Sequence, residues 1–155
     1  MAAQTGRTVN RYTLFYVDDS GGTLRSIPVN SINGVGLDFE EKEAWAFYDA
    51  VKGSLLNTPS CVITISGPFD STASTGSHTV LSGIAGLNTP LALDIRFGIR
   101  HTWEAGEPTF GITGTAANGF LCKSYLVNPD DATYTAVFVV FAGSAAPEWA
   151  TAAHT

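Results

Sequence analysis

The feature that most constrains the fold of this chain is a series of short segments with the composition of β-strands. Each is rich in aromatic and β-branched residues, and Gly, Pro, Asp or Asn follows closely, which is the pattern of strands separated by turns. The segments are residues 12–17, 24–29, 61–66, 91–103, 109–113, 120–127 and 133–142. A mainly β fold is therefore predicted.

Two of these segments differ in how many of their faces must be covered. In segment 91–103, Leu93 and Ile95 share one face while Asp94 and Arg96 share the other, so this strand is expected to be half buried. Segment 133–142, "TYTAVFVVFA", is apolar on both faces. Its second face is expected to be covered by a helix or by another chain.

The first reversal of the chain has clear turn chemistry. "DDSGGT" separates segments 12–17 and 24–29 and predicts a hairpin. Pro28 cannot donate a hydrogen bond to a neighbouring strand, so the second strand should lie at a sheet edge or end near the proline.

One segment has the pattern of an amphipathic helix, "GLDFEEKEAWAFYDAVKGSLLNTP". Asp38 is a potential N-cap with Glu41 completing a capping box, and the apolar residues lie on one helical stripe. That stripe is expected to pack on a sheet. Trp45 lies at its shoulder, where it would either form part of a partner surface or cover the edge of the core.

The connection from residue 67 to residue 83, "GPFDSTASTGSHTVLSG", is long and polar. This connection belongs to a wider loop, residues 67–90. It contains few apolar residues that a partner could contact, namely Phe69 near one end and Val80 with Leu81 near the other. A loop of this length is usually functional or disordered. We expect it to be mobile in an isolated subunit and ordered on assembly, so that a Gly-Ser bridge replacing residues 71–77 leaves stability nearly unchanged. The alternative is a surface loop packed on its own domain.

Composition limits the possible functions. The 155 residues suit one domain, with a flexible arm at 1–10 and a tail at 143–155, and 8 Lys and Arg against 14 Asp and Glu give a net charge of −6. This acidity excludes a protein that grips the phosphates of DNA. No apolar run is long enough for a membrane span. Cys61 and Cys122 lie in apolar runs and are expected to be buried free thiols, as in a reducing cytoplasm.

No catalytic or metal-binding motif is present in the sequence. The three histidines lack ligand spacing, and Asp70, Ser77 and His78 form the kind of set that any Ser-rich loop supplies by chance. Glu104 and Glu107 flank the turn "WEAGEP", where a solvated hairpin tip is the expected structure. Neither an enzymatic activity nor a cofactor is predicted.

Three stretches together resemble the small tail tube proteins of long, non-contractile-tailed bacteriophages: "SINGVGLDFEEKEAWAFYDAVKG", "ITISGPFDSTASTGSHTVLSGIAG" and "RHTWEAGEPTFGITGTAANGFL". The resemblance lies in their order and spacing and covers most of the chain from about Asn30 onward. It implies a β-sandwich or partial barrel with one flanking helix and long loops. Six copies would form a ring whose inner strands make one ring-wide β-barrel, and stacked rings would let DNA pass without specific binding.

The resemblance also implies a place in the virion and a set of contacts. The protein would be a tail component, assembled in the host cytoplasm together with other tail proteins. The loop at 67–83 resembles the stacking loop of the family. The candidate residues of a subunit or ring interface are Trp45, Phe69, Asp70, His78, Val80 and Leu81.

Two other functions fit the same composition. A phage head decoration or head-tail joining protein shares the size, acidity and β content but binds a capsid or forms other oligomers. A monomeric ligand-binding β-barrel would need an internal cavity.

Overall fold

A computed structural model describes residues 2–155, so Met1 of the predicted arm lies outside the described residues. Two antiparallel sheets face each other, and a separate two-stranded hairpin extends from them. The strands are β1 (Thr13–Asp18), β2 (Leu24–Ile27), β3 (Ser31–Asn33), β4 (Asp38–Glu43), β5 (Ser54–Ser60), β6 (Val62–Pro68), β7 (Leu93–Phe97), β8 (Thr109–Ile112), β9 (Phe120–Asn128), β10 (Thr133–Val140) and β11 (Glu148–Ala150). One α-helix, α1 (Ser77–Ile84), follows β6.

The order of strands is β11-β8-β7-β1-β2 in the first sheet and β3-β6-β10-β9 in the second. Alternate residues of both sheets point inward and form one core, which includes Phe15, Ile63, Ile95, Phe110 and Phe138. The prediction of a mainly β sandwich is confirmed. The sheets are not closed into a barrel within one subunit.

The first hairpin matches the sequence prediction. β1 pairs with β2 from Phe15↔Ile27 to Asp18↔Leu24. The turn is held by the Asp19 carboxylate, which accepts hydrogen bonds from the backbone N–H of Gly21 at 2.9 Å and of Thr23 at 3.0 Å. β2 is an edge strand and ends one residue before Pro28, as predicted.

The predicted helix in "GLDFEEKEAWAFYDAVKGSLLNTP" is wrong. These residues form β4, a tip at 44–53, and β5, which pairs with β4 from Asp38↔Ser60 to Glu43↔Ser54. The reason is non-local. β3 already pairs with β6 from Ser31↔Ser66 to Asn33↔Thr64, so the two ends of the segment leave the sandwich side by side. β4 and β5 then pair with each other beyond the sandwich, and their register shifts by one residue between Phe39 and Glu41. Tertiary pairing therefore overrides the helical pattern.

The predicted mobile loop is also wrong, because α1 occupies its second half. α1 packs against β9 and β2, which are edge strands of the two sheets, and so closes one side of the sandwich. Val80, Leu81 and Ile84 of α1 are buried in the core. The loop is thus packed on its own domain, and the Gly-Ser bridge for residues 71–77 would remove Ser77, a buried residue that begins the helix.

The segments near the two ends of the chain are held against the first sheet and the loop that follows β7. Segment 91–103 forms a strand only as far as Phe97, and Arg100 adopts a φ of 63°, which a continuing strand does not allow. The predicted tail at 143–155 contains β11, which pairs with β8. The predicted arm is held by hydrogen bonds to segment 98–107, including one of 2.5 Å from the Thr8 hydroxyl to the Gly98 carbonyl.

Candidate assembly interface

The hairpin formed by residues 38–60, which we call the projecting hairpin, is the most exposed element of the subunit. Every residue of β4 and all of β5 except Pro59 are exposed. Gly34, just before the hairpin, has a φ of 84°, and a Cβ there would lie 2.0 Å from the Val62 carbonyl oxygen. This position therefore needs glycine for the chain to leave the sandwich as it does.

The projecting hairpin bears large apolar side chains that do not pack into the core of the subunit. Phe47 and Tyr48 at the tip are 99% and 91% exposed. Phe39, Val51, Leu55 and Leu56 are also exposed. Several large apolar side chains exposed on one element are typical of a site of protein association, since isolated soluble subunits rarely leave them in solvent.

The tip has its own local order. The Asp49 carboxylate accepts a hydrogen bond of 2.9 Å from the Ala46 N–H, and the Ala44 N–H donates to the Gly53 carbonyl at 3.0 Å. The Trp45 ring lies edge-on to Phe47, with centroids 6.2 Å apart, and the Lys52 ammonium lies 4.9 Å from the Trp45 ring centroid. These contacts keep the aromatic side chains together at one end of the hairpin.

The projecting hairpin also carries much of the charge. It contains Asp38, Glu40, Glu41, Glu43 and Asp49 against Lys42 and Lys52, a formal charge of −3 out of the −6 of the chain. Glu40 and Lys42 form an exposed ion pair at 2.7 Å, which contributes little to stability. A partner surface for this hairpin must therefore accept both apolar groups and negative charge.

A second group of predicted interface residues lies beside β9, away from the hairpin. The half-exposed Phe69 ring stacks on the His78 ring with centroids 4.7 Å apart, and the His78 Nδ1 lies 3.0 Å from the Tyr125 hydroxyl. β9 is an edge strand, and its end bears the exposed Leu126 and Val127. Unpaired backbone and apolar side chains at such an edge favour pairing with another chain.

The remaining predicted interface residues have a structural place within the subunit. Val80 and Leu81 are buried in its core, so they are not available as handles for a partner. The Asp70 carboxylate accepts hydrogen bonds from the N–H and hydroxyl of Thr72 at 2.9 and 2.6 Å, and these bonds lower the pKa of Asp70. The structure thus groups Phe69, Asp70 and His78 at the entry to α1 and places Trp45 on a different element.

Two carboxylates that the sequence placed in solvent are buried. Asp94 accepts hydrogen bonds from Arg96 Nε at 2.8 Å and from the His154 backbone N–H at 3.2 Å, and its Oδ1 lies 2.9 Å from His154 Nδ1. The C-terminal segment covers the face of the strand that was predicted to be polar and open. The sequence gives no local signal of this contact, because residues 94 and 154 are far apart in the chain.

Glu107 is fully buried, contrary to the predicted solvated turn. Burial alone would raise the pKa of Glu107, but hydrogen bonds from the Gln4 N–H, His101, the Glu104 N–H and the Ile99 N–H lower it to about 2. The shortest of these contacts joins Glu107 Oε2 to His101 Nε2 at 2.6 Å. The carboxylate therefore organises the 99–107 loop and holds the N-terminal segment.

The cysteines are buried free thiols, as predicted. Burial raises the pKa of both, that of Cys122 to about 11. Within residues 2–155, no group of three His, Cys, Asp or Glu side chains is arranged to hold a metal ion. No helix in the described part of the chain is long and apolar enough to cross a membrane.

Solved structures with a similar fold come from contractile injection systems. One is the cap that terminates the tube of the anti-feeding prophage, with a TM-score of 0.65 and 12% identity over 98% of this chain and 96% of that chain. Another is the PVC sheath/tube terminator of an extracellular contractile injection system in its extended state, with a TM-score of 0.60 and 16% identity over 96% and 99% of the two chains. The likeness is one of fold.

A third similar structure is a chain of the PVC sheath-tube complex in its extended state, with a TM-score of 0.58 and 11% identity over 94% of this chain and 93% of that chain. No protein-family model matches the sequence. No curated protein matches it either. The three structures span nearly the whole subunit, and they belong to contractile assemblies, whereas the sequence resemblance is to proteins of non-contractile tails.

Proposed function

We propose that this protein is a structural subunit of a phage tail or phage-tail-like tube, in which copies associate into stacked hexameric rings. The observation that carries the proposal is the projecting hairpin, because its exposed apolar and aromatic residues have no role in the core of their own subunit. The fold similarity to tube and cap chains of injection systems supports the same conclusion. The association of copies into stacked hexameric rings is what we infer from these two observations.

In this proposal one surface makes the contacts within a ring and another makes the contacts between rings. The edge strands, above all β9 with its exposed Leu126 and Val127, associate side by side within a ring and extend the sheets into a ring-wide barrel. The projecting hairpin reaches a subunit of the adjacent ring. This contact joins two different surfaces and links one ring to the next without a rotation that closes it, so it repeats along a stack.

The acidity of the subunit is consistent with a conduit for DNA. Each Lys or Arg contact to a phosphate adds salt-dependent affinity, and a lumen with a negative surplus lets a duplex slide without adhering. The free protein is therefore expected to show no duplex binding near physiological salt. A gel shift with micromolar affinity and a steep dependence on salt would contradict the conduit.

The proposal is tested by shortening the hairpin and following fold and assembly separately. Residues 40–57 are replaced by an Asn-Gly turn, and the wild type and variant are compared by light scattering, negative-stain microscopy and thermal unfolding. Rings and tubes are expected for the wild type. The variant should keep its melting temperature within a few degrees but form no tubes. A wild type that remains monomeric at every concentration, with no rings on grids, would overturn the proposal.

A cap or terminator of the tube is a second candidate, favoured by the two similar structures that are a tube cap and a sheath/tube terminator. A terminator forms one ring at the end of a tube, whereas a tube subunit stacks repeatedly. Purified protein that stops at single rings at high concentration would support the terminator, and long tubes would support the tube subunit.

A further inference from the structure

We propose that the aromatic tip of the projecting hairpin of one copy docks into a cleft at the hairpin base of another copy, with Arg11 facing the acidic hairpin. The inference rests on the proposed function and assigns the receptor surface for the hairpin. Its elements are a cleft between the two sheets, an unpaired arginine at the rim of that cleft, and an exposed aromatic pair that cannot reach its own cleft.

The cleft has a volume of about 540 Å³ and lies where β3 and the β2–β3 connection face the end of β7. Its apolar lining consists of Val29, Ile32, Val35 and Phe97, which are partly buried and pack against the core. The volume is in the range of sites that enclose a drug-sized group, so one or two aromatic side chains fit it.

The rim of the cleft has a positive charge and lacks a negative one. Arg11 is exposed there, and its guanidinium carbon lies 5.0 Å from the ring centroid of the neighbouring Tyr12. The cleft has no Asp or Glu among its lining residues. Among residues 2–155, no carboxylate forms an ion pair with Arg11. This charge is therefore available to a partner.

The projecting hairpin has the complementary properties. Among residues 2–155, Phe47 and Tyr48 are the most exposed large hydrophobic side chains. Asp49 follows them directly, and the hairpin carries a net charge of −3. An acidic and aromatic element matches a basic rim with an apolar floor, and such complementarity fixes the register of an association.

The occupant comes from a second copy for a geometric reason. Val35 lines the cleft three residues before β4 begins, so the cleft is at the base of the hairpin. The six residues of β4 carry the tip roughly 20 Å outward at about 3.3 Å per residue. A tip held away from its own base fills the cleft of a neighbour, which gives the head-to-tail contact that a stack of rings requires.

A second groove, of about 490 Å³, competes as the receptor. It lies on the other side of the hairpin base and is lined by Val62, Val139 and Pro147 among others. None of its lining residues is charged, so it offers the acidic hairpin no counter-charge. It provides the matched control site for the test.

The test is site-directed cross-linking of assembled full-length protein. A Phe47→Cys variant is mixed with a Val35→Cys variant, assembled and oxidised, and intermolecular disulfide dimers are measured on non-reducing gels. The control mixture pairs Phe47→Cys with Val62→Cys, at an exposed residue of the second groove. Each single variant alone gives the background from the buried native cysteines.

Dimers from the Phe47→Cys and Val35→Cys mixture, at least several-fold above both the control and the background, are the expected result. Cross-linking to Val62→Cys instead, or to neither residue in protein that still forms tubes, would overturn this inference and leave the proposed function standing. Failure of the wild type to assemble would be a failure of the proposed function itself.

A charge substitution gives an independent readout. Arg11→Glu should weaken association about tenfold, equivalent to about 1.4 kcal/mol, because it places a carboxylate against the acidic hairpin. The matched control is Arg7→Glu, which makes the same change at an exposed residue outside the cleft and should leave association within about twofold. Equal effects of the two substitutions would show that only net charge matters and would contradict docking at Arg11.

Discussion

The projecting hairpin and the segment from Phe69 to Ile84 have opposite relations to the core. The hairpin is rich in Phe, Tyr, Trp and Leu and leaves them in solvent, whereas the second segment is rich in Ser, Thr and Gly and buries Val80, Leu81 and Ile84 in the core. Composition alone suggests the reverse. Burial is decided by where the flanking strands deliver each segment, and local hydrophobicity has less influence.

This contrast separates stability from assembly. Val80, Leu81 and Ile84 fill the side of the sandwich between β2 and β9, so the segment with α1 is needed for the fold. The hairpin adds little to the core of its own subunit. Changes in the α1 segment should therefore act on the free energy of unfolding, and changes in the hairpin should act on association.

The largest expected difference between the two regions is in backbone hydrogen exchange. In dilute monomer, amides of the hairpin should exchange through local opening with a free energy close to zero. Amides of α1 should exchange only through global unfolding, whose free energy is typically about 5–15 kcal/mol. The Ala85 N–H, bonded to the Leu81 carbonyl at 3.0 Å, is a suitable probe. Equal protection of hairpin and helix, measured by mass spectrometry of peptic peptides, would refute the separation.

A pair of leucines tests the same difference by substitution. Leu81→Ala removes a fully buried side chain and should destabilise the protein by about 2–5 kcal/mol. Leu55→Ala makes the same change on the hairpin, where the side chain is 68% exposed, and should change stability by less than about 0.5 kcal/mol. Urea unfolding of both variants measures the two effects. A loss at Leu55 as large as that at Leu81 would show that the hairpin packs on its own subunit.

Much of the fold could be predicted from the sequence because its strands have local signals. β1, β2, β6, β8, β9 and β10 coincide with aromatic and β-branched segments bounded by turn residues. The hairpin could not be found in this way. Its residues satisfy a helical period, and only the pairing of β3 with β6 makes the strand conformation the better one.

The candidate interface was predictable only in part. Trp45 was identified for its position at the shoulder of a helix that does not exist, yet it does lie at the exposed tip beside Phe47. The helix α1 had a visible signal, because Val80, Leu81 and Ile84 have helical spacing within the polar loop. The contacts of Asp94 with His154 could not be predicted, since they depend on where the C-terminal segment docks.

A smaller effect is expected from the polar contacts that begin α1. The buried Ser77 hydroxyl donates to the Pro68 carbonyl at 2.7 Å and accepts from the Asp70 N–H at 3.1 Å. Ser77→Ala leaves both backbone groups without this partner and should cost about 1–3 kcal/mol. Ser54→Ala on the exposed β5 is the matched control and should be nearly neutral. If Ser77→Ala also proves neutral in urea unfolding, the polar contacts do not hold the helix entry.

The smallest effect concerns the pH dependence at the same helix entry. The hydroxyl and N–H of Thr72 bond the Asp70 carboxylate and lower its pKa from the usual 3.8. A lowered pKa in the folded state stabilises the protein above the unfolded pKa, and this contribution is lost as the pH falls through the folded value. The stability difference between wild type and Asp70→Asn should therefore shrink when urea unfolding is repeated at decreasing pH below about 4. Thr72→Val removes the hydroxyl donor, so in that background Asp70→Asn should have a smaller effect at neutral pH. An undiminished effect of Asp70→Asn in that background would mean that the Thr72 hydroxyl does not cause the shift, and the Thr72 N–H, which Thr72→Val retains, would then be the donor that lowers the pKa of Asp70.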